Sequence, residues 1–232
     1  MKIAILVDGG FYLRRAHALF GEKDAAARAA ELMEYCHKHM QHSTHGAKNH
    51  DEHLYRIFYY DCPPSNKKIY HPLLKKQINL EETDLHKWMT TFHTELKSKR
   101  KVAMRFGKLS DSLSAYVLTK DAVKALCNGR KQVSDLQEKD FALNMKQKGV
   151  DMKIGLDIAS LAYKNQVDQI ILISGDSDFV PAAKLARREG IDFILDPMWA
   201  TVKEDLQEHI DGLYTCAPKP MQKRPPEGDP KG

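Results

Sequence analysis

Apolar runs of strand length alternate with stretches of helical periodicity along this chain. The run "KIAILVD", residues 2–8, is continuously apolar until it ends in Asp8. That is the pattern of a strand buried on both faces. Helical sequence follows through "FYLRRAHALF" and the alanine-rich "DAAARAAELMEYCHKHM". A second strand, "HLYRIFYYD", ends in Asp61, and "VAMRF" predicts a third. Between them, Lys67 to Lys101 reads as mostly helical. Further on, "VDMKIGLDIASLAYK" predicts an amphipathic helix and "QIILIS" a strand. "DFVPAAKLARREG" then predicts a helix ending at Gly190, "IDFILD" a strand ending in Asp196, and "TVKEDLQEHI" a last helix. This order gives βαβ units and an α/β fold class: a three-layer, open, mainly parallel sheet with helices on both faces.

Two segments break the pattern. Six histidines fall between His37 and His53, and the polar stretch from Lys38 reads as a flexible loop. Their spacing matches no standard zinc pattern. From Ala217 onward, "APKPMQKRPPEGDPKG" holds half the chain's prolines and little that could be buried, so a disordered, basic, proline-rich tail is expected over 217–232. The expected organisation is one domain over 1–216 with a variable middle region at about 36–145.

Composition narrows the setting. No apolar stretch approaches the ~20 residues that span a bilayer. The first apolar run is short and ends in an acid, unlike a cleavable leader. Cys36, Cys62, Cys127 and Cys216 form no C-x-x-C pair and read as free thiols of a reducing compartment. A cytoplasmic location follows as the expectation. The net charge of +5 permits a polyanionic partner.

The chemistry lies in the strand ends. "ISGDSDF", residues 173–179, puts Asp176 and Asp178 directly after a buried strand, where aspartate is poorly suited. Parallel strands deliver their carboxyl ends to one edge of the sheet, where ligands bind. Asp8, Asp61, Asp176 with Asp178, and Asp196 would all arrive there. At ~4 Å and an effective dielectric of ~20, each carboxylate pair repels by about 4 kcal/mol. A hard divalent cation with oxygen-only ligands reverses that sign, favouring Mg2+ or Mn2+ over zinc or copper.

Each acid also has an ordinary reading. Asp8 before "GG" suits a turn. Asp178 suits a helix cap, with Pro181 in the first turn. Asp61 and Asp196 sit beside prolines, look like turn formers, and stay outside the core site. Asp151 could be the N-cap of its helix, and Asp157 could simply pair with Lys153.

Three stretches together, "ILVDGGF", "KGVDMKIGLDI" and "LISGDSDFVPA", resemble the NYN domain family, in particular its LabA-like branch, with a PIN-like nuclease fold. The resemblance implies a Mg2+- or Mn2+-dependent ribonuclease. It maps the catalytic acids onto Asp8, Asp151, Asp176 and Asp178, with Asp157 joining them as a metal ligand. Many members carry Asn three positions after the first acid; Phe11 stands there here.

Substrate contact is assigned to Lys146 and Lys148, just before Asp151, and to the loop hydroxyls of Ser174 and Ser177. Tyr70, Trp88 and Phe106 lie near basic residues and could stack bases, although core packing also explains Trp88 and Phe106. The expected partner is RNA, with no membrane, and a homo-oligomer is compatible with the sequence. The alternative function is a non-catalytic RNA-binding or regulatory module on the same fold. A phosphoacceptor domain fits the doubled acid of "GDSD" poorly.

Overall fold

The structure, a computed structural model, describes residues 1–45, 50–110 and 114–220. Six strands form one sheet: β1 (Ile3–Asp8), β2 (Leu54–Asp61), β3 (Val102–Phe106), β4 (Gln169–Ile173), β5 (Asp192–Asp196) and β6 (Gly212–Leu213). Their order is β6-β5-β4-β1-β2-β3, and every neighbouring pair is parallel. The strands run outward from β1 in both directions, so the order reverses between β1 and β4. That switch point is where an open α/β sheet forms a crevice outside its strand ends.

Alternation along β1 explains the three layers. Ile3, Ile5 and Val7 face one side, with α1 (Gly9–Phe20), α2 (Ala25–Ser43) and α3 (Asp84–Ser98). Ala4 and Leu6 face the other, with α4 (Val150–Tyr163) and α5 (Val180–Arg188). All five are fully buried, as a strand covered on both faces requires.

Several elements differ from the sequence reading. Lys67 to Lys101 is not mostly helical: an antiparallel hairpin, Lys68–His71 with Lys76–Asn79, precedes α3. Pro72 stops a helix, and Ile69 and His71 are buried between exposed neighbours, the period of a strand. The expected closing helix shrinks to the single turn Glu204–Gln207. α2 runs on to Ser43, so His39 and His42, within the stretch from Lys38, are helical rather than loop. Residues 46–49 of the histidine-rich stretch lie outside the described residues. So do 221–232 of the expected tail. Ala217, placed at the start of that tail, is buried and accepts a hydrogen bond from Trp199 Nε1. Among the described residues, no helix is long and apolar enough to cross a membrane.

The middle region adds two short antiparallel pairs, Lys108–Leu109 with Gln147–Lys148 and Ala115–Leu118 with Phe141–Asn144. The first lies beside the end of β2, because Gly107 N donates to the Asp61 carbonyl.

Candidate active site

Asp8 ends β1 and is also the N-cap of α1. Its Oδ1 accepts from Phe11 N at 3.0 Å. The chain turns from strand to helix without a loop because position 9 is glycine. A Cβ there would sit 2.5 Å from the Tyr59 ring and 2.6 Å from the Tyr60 carbonyl oxygen. Next in register across the switch point is the end of β4. There Ser174, fully buried, donates from Oγ to Asp8 Oδ2 at 3.3 Å and accepts from Asp176 N at 3.3 Å. One hydroxyl therefore ties the first acid to the loop that carries the next two. Asp176 Oδ1 accepts from Asp178 N at 3.0 Å, capping the 3-10 turn Ser177–Phe179. Capping belongs to Asp176 rather than to Asp178, whose carboxylate stays exposed.

Asp151 enters from α4. The N-cap there is Gly149, left-handed at φ 78°, so Asp151 is not the cap. It stands exposed in the first turn, where the helix dipole favours an anion. Charge links these acids in part. Asp8 is raised above the ordinary range, first by burial and also by the charge of Asp151, while the hydrogen bonds it accepts from Phe11 N and Ser174 and the charge of Arg14 oppose the rise. Asp151 is raised by desolvation and then by Asp176 and Asp178. Among the described residues, none of the four forms an ion pair within 4.0 Å.

Asp157 behaves differently. Its Oδ2 accepts from Tyr60 OH and from Arg105 Nε, both at 2.9 Å. Its charge is balanced by an arginine, which sets it apart from the four acids above; among the described residues Lys153 forms no ion pair with it. Ser174 is fully buried, with its hydroxyl held between the Asp8 carboxylate and the Asp176 backbone N–H. Ser177 is half-buried and accepts from Lys203 Nζ at 3.0 Å, which brings a cation to the loop. Lys146 and Lys148 are exposed, and Lys148 stands opposite Lys108. The residue between them, Gln147, is the one aimed at the site. Its Nε2 donates to Asp61 at 3.0 Å, because successive side chains in a strand point to opposite faces. Charge drew attention to the lysines; the alternation of a two-residue strand was the signal for the amide.

Asp61 and Asp196 are buried hydrogen-bond centres at the same sheet edge. Asp61 accepts from Cys62 N, Gln147 and Tyr59 OH and contacts His93 Nε2 at 3.2 Å. Asp196 accepts from Tyr35 OH, Met198 N and Thr215, and lies 2.7 Å from His39 Nε2. Asp196 also shapes the following turn, in which Met198 and Trp199 both take positive φ and Arg15 holds the Met198 carbonyl. Trp88 stacks on Phe92, and Phe106 packs on His93, so both serve packing. Tyr70 is half-exposed on the hairpin. All four cysteines are free.

The family model for the NYN domain matches residues 90–213, more than half of the chain. This chain belongs to the NYN domain family. That family has a PIN-like nuclease fold, and the six-stranded parallel sheet flanked by helices agrees with it. The match includes Asp151, Asp176 and Asp178, while Asp8 is brought to them by the sheet. No curated protein matches the chain. A crystal structure of a protein of unknown function from Vibrio parahaemolyticus is similar at 17% identity and a TM-score of 0.44. The match covers 93% of this chain and 92% of that one.

Proposed function

We propose that this NYN domain is a Mg2+- or Mn2+-dependent ribonuclease of the LabA-like branch, acting in the cytoplasm on RNA phosphodiester bonds. One observation carries the reading: aspartates from three separate elements gather at the switch point with no ion pair within 4.0 Å among the described residues, and Asp8 and Asp151 are raised first by burial and then by neighbouring carboxylates, with Arg14 offsetting part of the rise at Asp8. Oxygen-only donors with unbalanced charge fit a hard dication. Among the described residues no three such side chains already close on one point, so the fit rests on donor chemistry and charge.

Asp8, Asp151, Asp176 and Asp178 would hold the cation. Once bound, it supplies a nucleophilic water and neutralises charge on the scissile phosphate. The chain's own residues prepare the site. Phe11 N–H and Ser174 Oγ–H fix the orientation of Asp8. Ser174 also accepts from Asp176 N, so the first acid and the loop move together. Lys203, Lys146 and Lys148 supply cations for the RNA backbone.

The test is single-stranded RNA incubated with Mn2+ or Mg2+, using parent protein and an Asp176→Asn variant purified in parallel. Cleavage lost on chelation, and reduced at least about 100-fold in the variant, supports the reading. Equal cleavage by both proteins refutes it. A second reading, a non-catalytic RNA-binding module, draws on Phe11. Its ring packs on Gly175, where a Cβ would come within 2.7 Å, and so fills the place of the usual amide with an apolar wedge. RNA binding without metal-dependent turnover would favour that reading.

A further inference from the structure

Beside the acidic edge lies an open cleft of about 320 Å³. Leu80, Leu85 and Met89 form one wall, and Leu109, Leu143 and Met145 the other. Asp61 and Gln147 supply polar atoms to its lining. Leu85 is 68% exposed, so the apolar lining is open to solvent rather than closed as core.

The cleft adjoins the acids through Gln147. A Cβ on Gly10 would lie 3.7 Å from both Gln147 Oε1 and Asp8 Oδ1. Asp61 holds the amide by one N–H. Among the described residues the second N–H and the oxygen make no hydrogen bond, which leaves one donor and one acceptor for a ligand. Lys108 and Lys148 stand exposed on the adjoining strands and Lys146 just before them, without ion-pair partners among the described residues. Apolar walls, an amide and a rim of lysines leading to an acidic edge suit a planar, hydrogen-bonding group on a polyanion. The volume is at the small end of ligand sites, about 300–1,000 Å³. It holds a single ring system, not a duplex.

We propose that this cleft binds one unpaired nucleobase of single-stranded RNA, next to the phosphate presented to the aspartates, with Gln147 contacting the base edge. The proposal rests on the ribonuclease reading and names its substrate class. A paired base could not enter, because its edge and both its faces are occupied in a duplex.

The test uses the full chain and a labelled single-stranded RNA, with affinity followed by fluorescence anisotropy and cleavage by gel. Single abasic positions are walked along the RNA, and duplex RNA serves as competitor. Leu143→Trp fills the cleft, with Met145→Trp as a second variant if the first melts early. One abasic position, and the filled cleft, are each expected to weaken binding by about tenfold. Combined, they should lose no more than either alone, because both remove the same contact. A flat abasic walk with undiminished binding by the filled variants, while the parent still binds and cleaves, overturns the cleft alone. A parent that neither binds nor cleaves any RNA overturns the ribonuclease reading with it.

Discussion

Asp8 is at once the N-cap of α1 and a half-buried carboxylate facing Asp151. Its folded-state pKa is raised, so the native state holds that proton more tightly than the unfolded chain does. Stability therefore falls as pH rises through the window just above the ordinary carboxylate pKa. At neutral pH the ionised group costs stability. Asp8→Asn keeps a good cap and removes the charge. Its melting temperature should equal or exceed the parent's, by about 0.5–1 kcal/mol in stability, while cleavage is lost. Mn2+ should raise the melting temperature of the parent and leave the variant unmoved; thermal melts across pH and metal concentration check both. A second residue-scale expectation concerns Gly175. Gly175→Ala drives a Cβ into Phe11 and should cost about 1–3 kcal/mol. Adding Phe11→Ala should recover most of that loss, as a double-mutant cycle in denaturant would show. Strand-end acids after apolar runs were legible in the sequence. The bridging role of Ser174 was not, because a serine in "ISGD" carries no mark of the partner that a distant strand brings to it.

α4 shows what a single helix can and cannot declare. Its pattern placed Asp151 and Asp157 on one element, and the element formed as read. The roles separate only when the sheet is present, since Tyr60 and Arg105 come from β2 and β3 to claim Asp157. Asp157→Asn should therefore retain metal-dependent cleavage within a few-fold, while losing about 1 kcal/mol of stability as its charged hydrogen bond to Arg105 weakens. A rate loss as large as that of Asp176→Asn would place Asp157 in the ligand set. The hairpin at Lys68–Asn79 was missed because Lys, Gln and Leu favour helix locally, while burial of Ile69 and His71 against the middle region decides the outcome. α2 carries a buried histidine at its far end. His39 contacts Asp196, and both are fully covered. His39→Ala would remove one of the four hydrogen-bond partners of that carboxylate and leave a cavity, and should cost about 1–3 kcal/mol, read from denaturant unfolding.

Across the whole molecule, strand order matters more than any one motif. A parallel sheet was readable from apolar runs separated by helices, but not the sequence β6-β5-β4-β1-β2-β3 that makes β1 and β4 neighbours. That adjacency places Asp8 beside the loop of Asp176 and Asp178 although some 170 residues separate them, and it could not be read from spacing. The same edge carries Asp61 and Asp196, and the fold sorts the acids by partner. Those two are buried, hydrogen-bonded and set beside histidines, whereas the four candidates form no ion pair within 4.0 Å among the described residues, Arg14 acting on Asp8 only from farther off. A site of this kind should take up a dication at the expense of nothing else in the chain. Crystals of the parent protein soaked in Mn2+ and recorded for anomalous scattering test this directly. The account predicts a peak within coordination distance of Asp8, Asp151 and Asp176. Density that stays empty there, or a peak only at the histidines of α2, would contradict it.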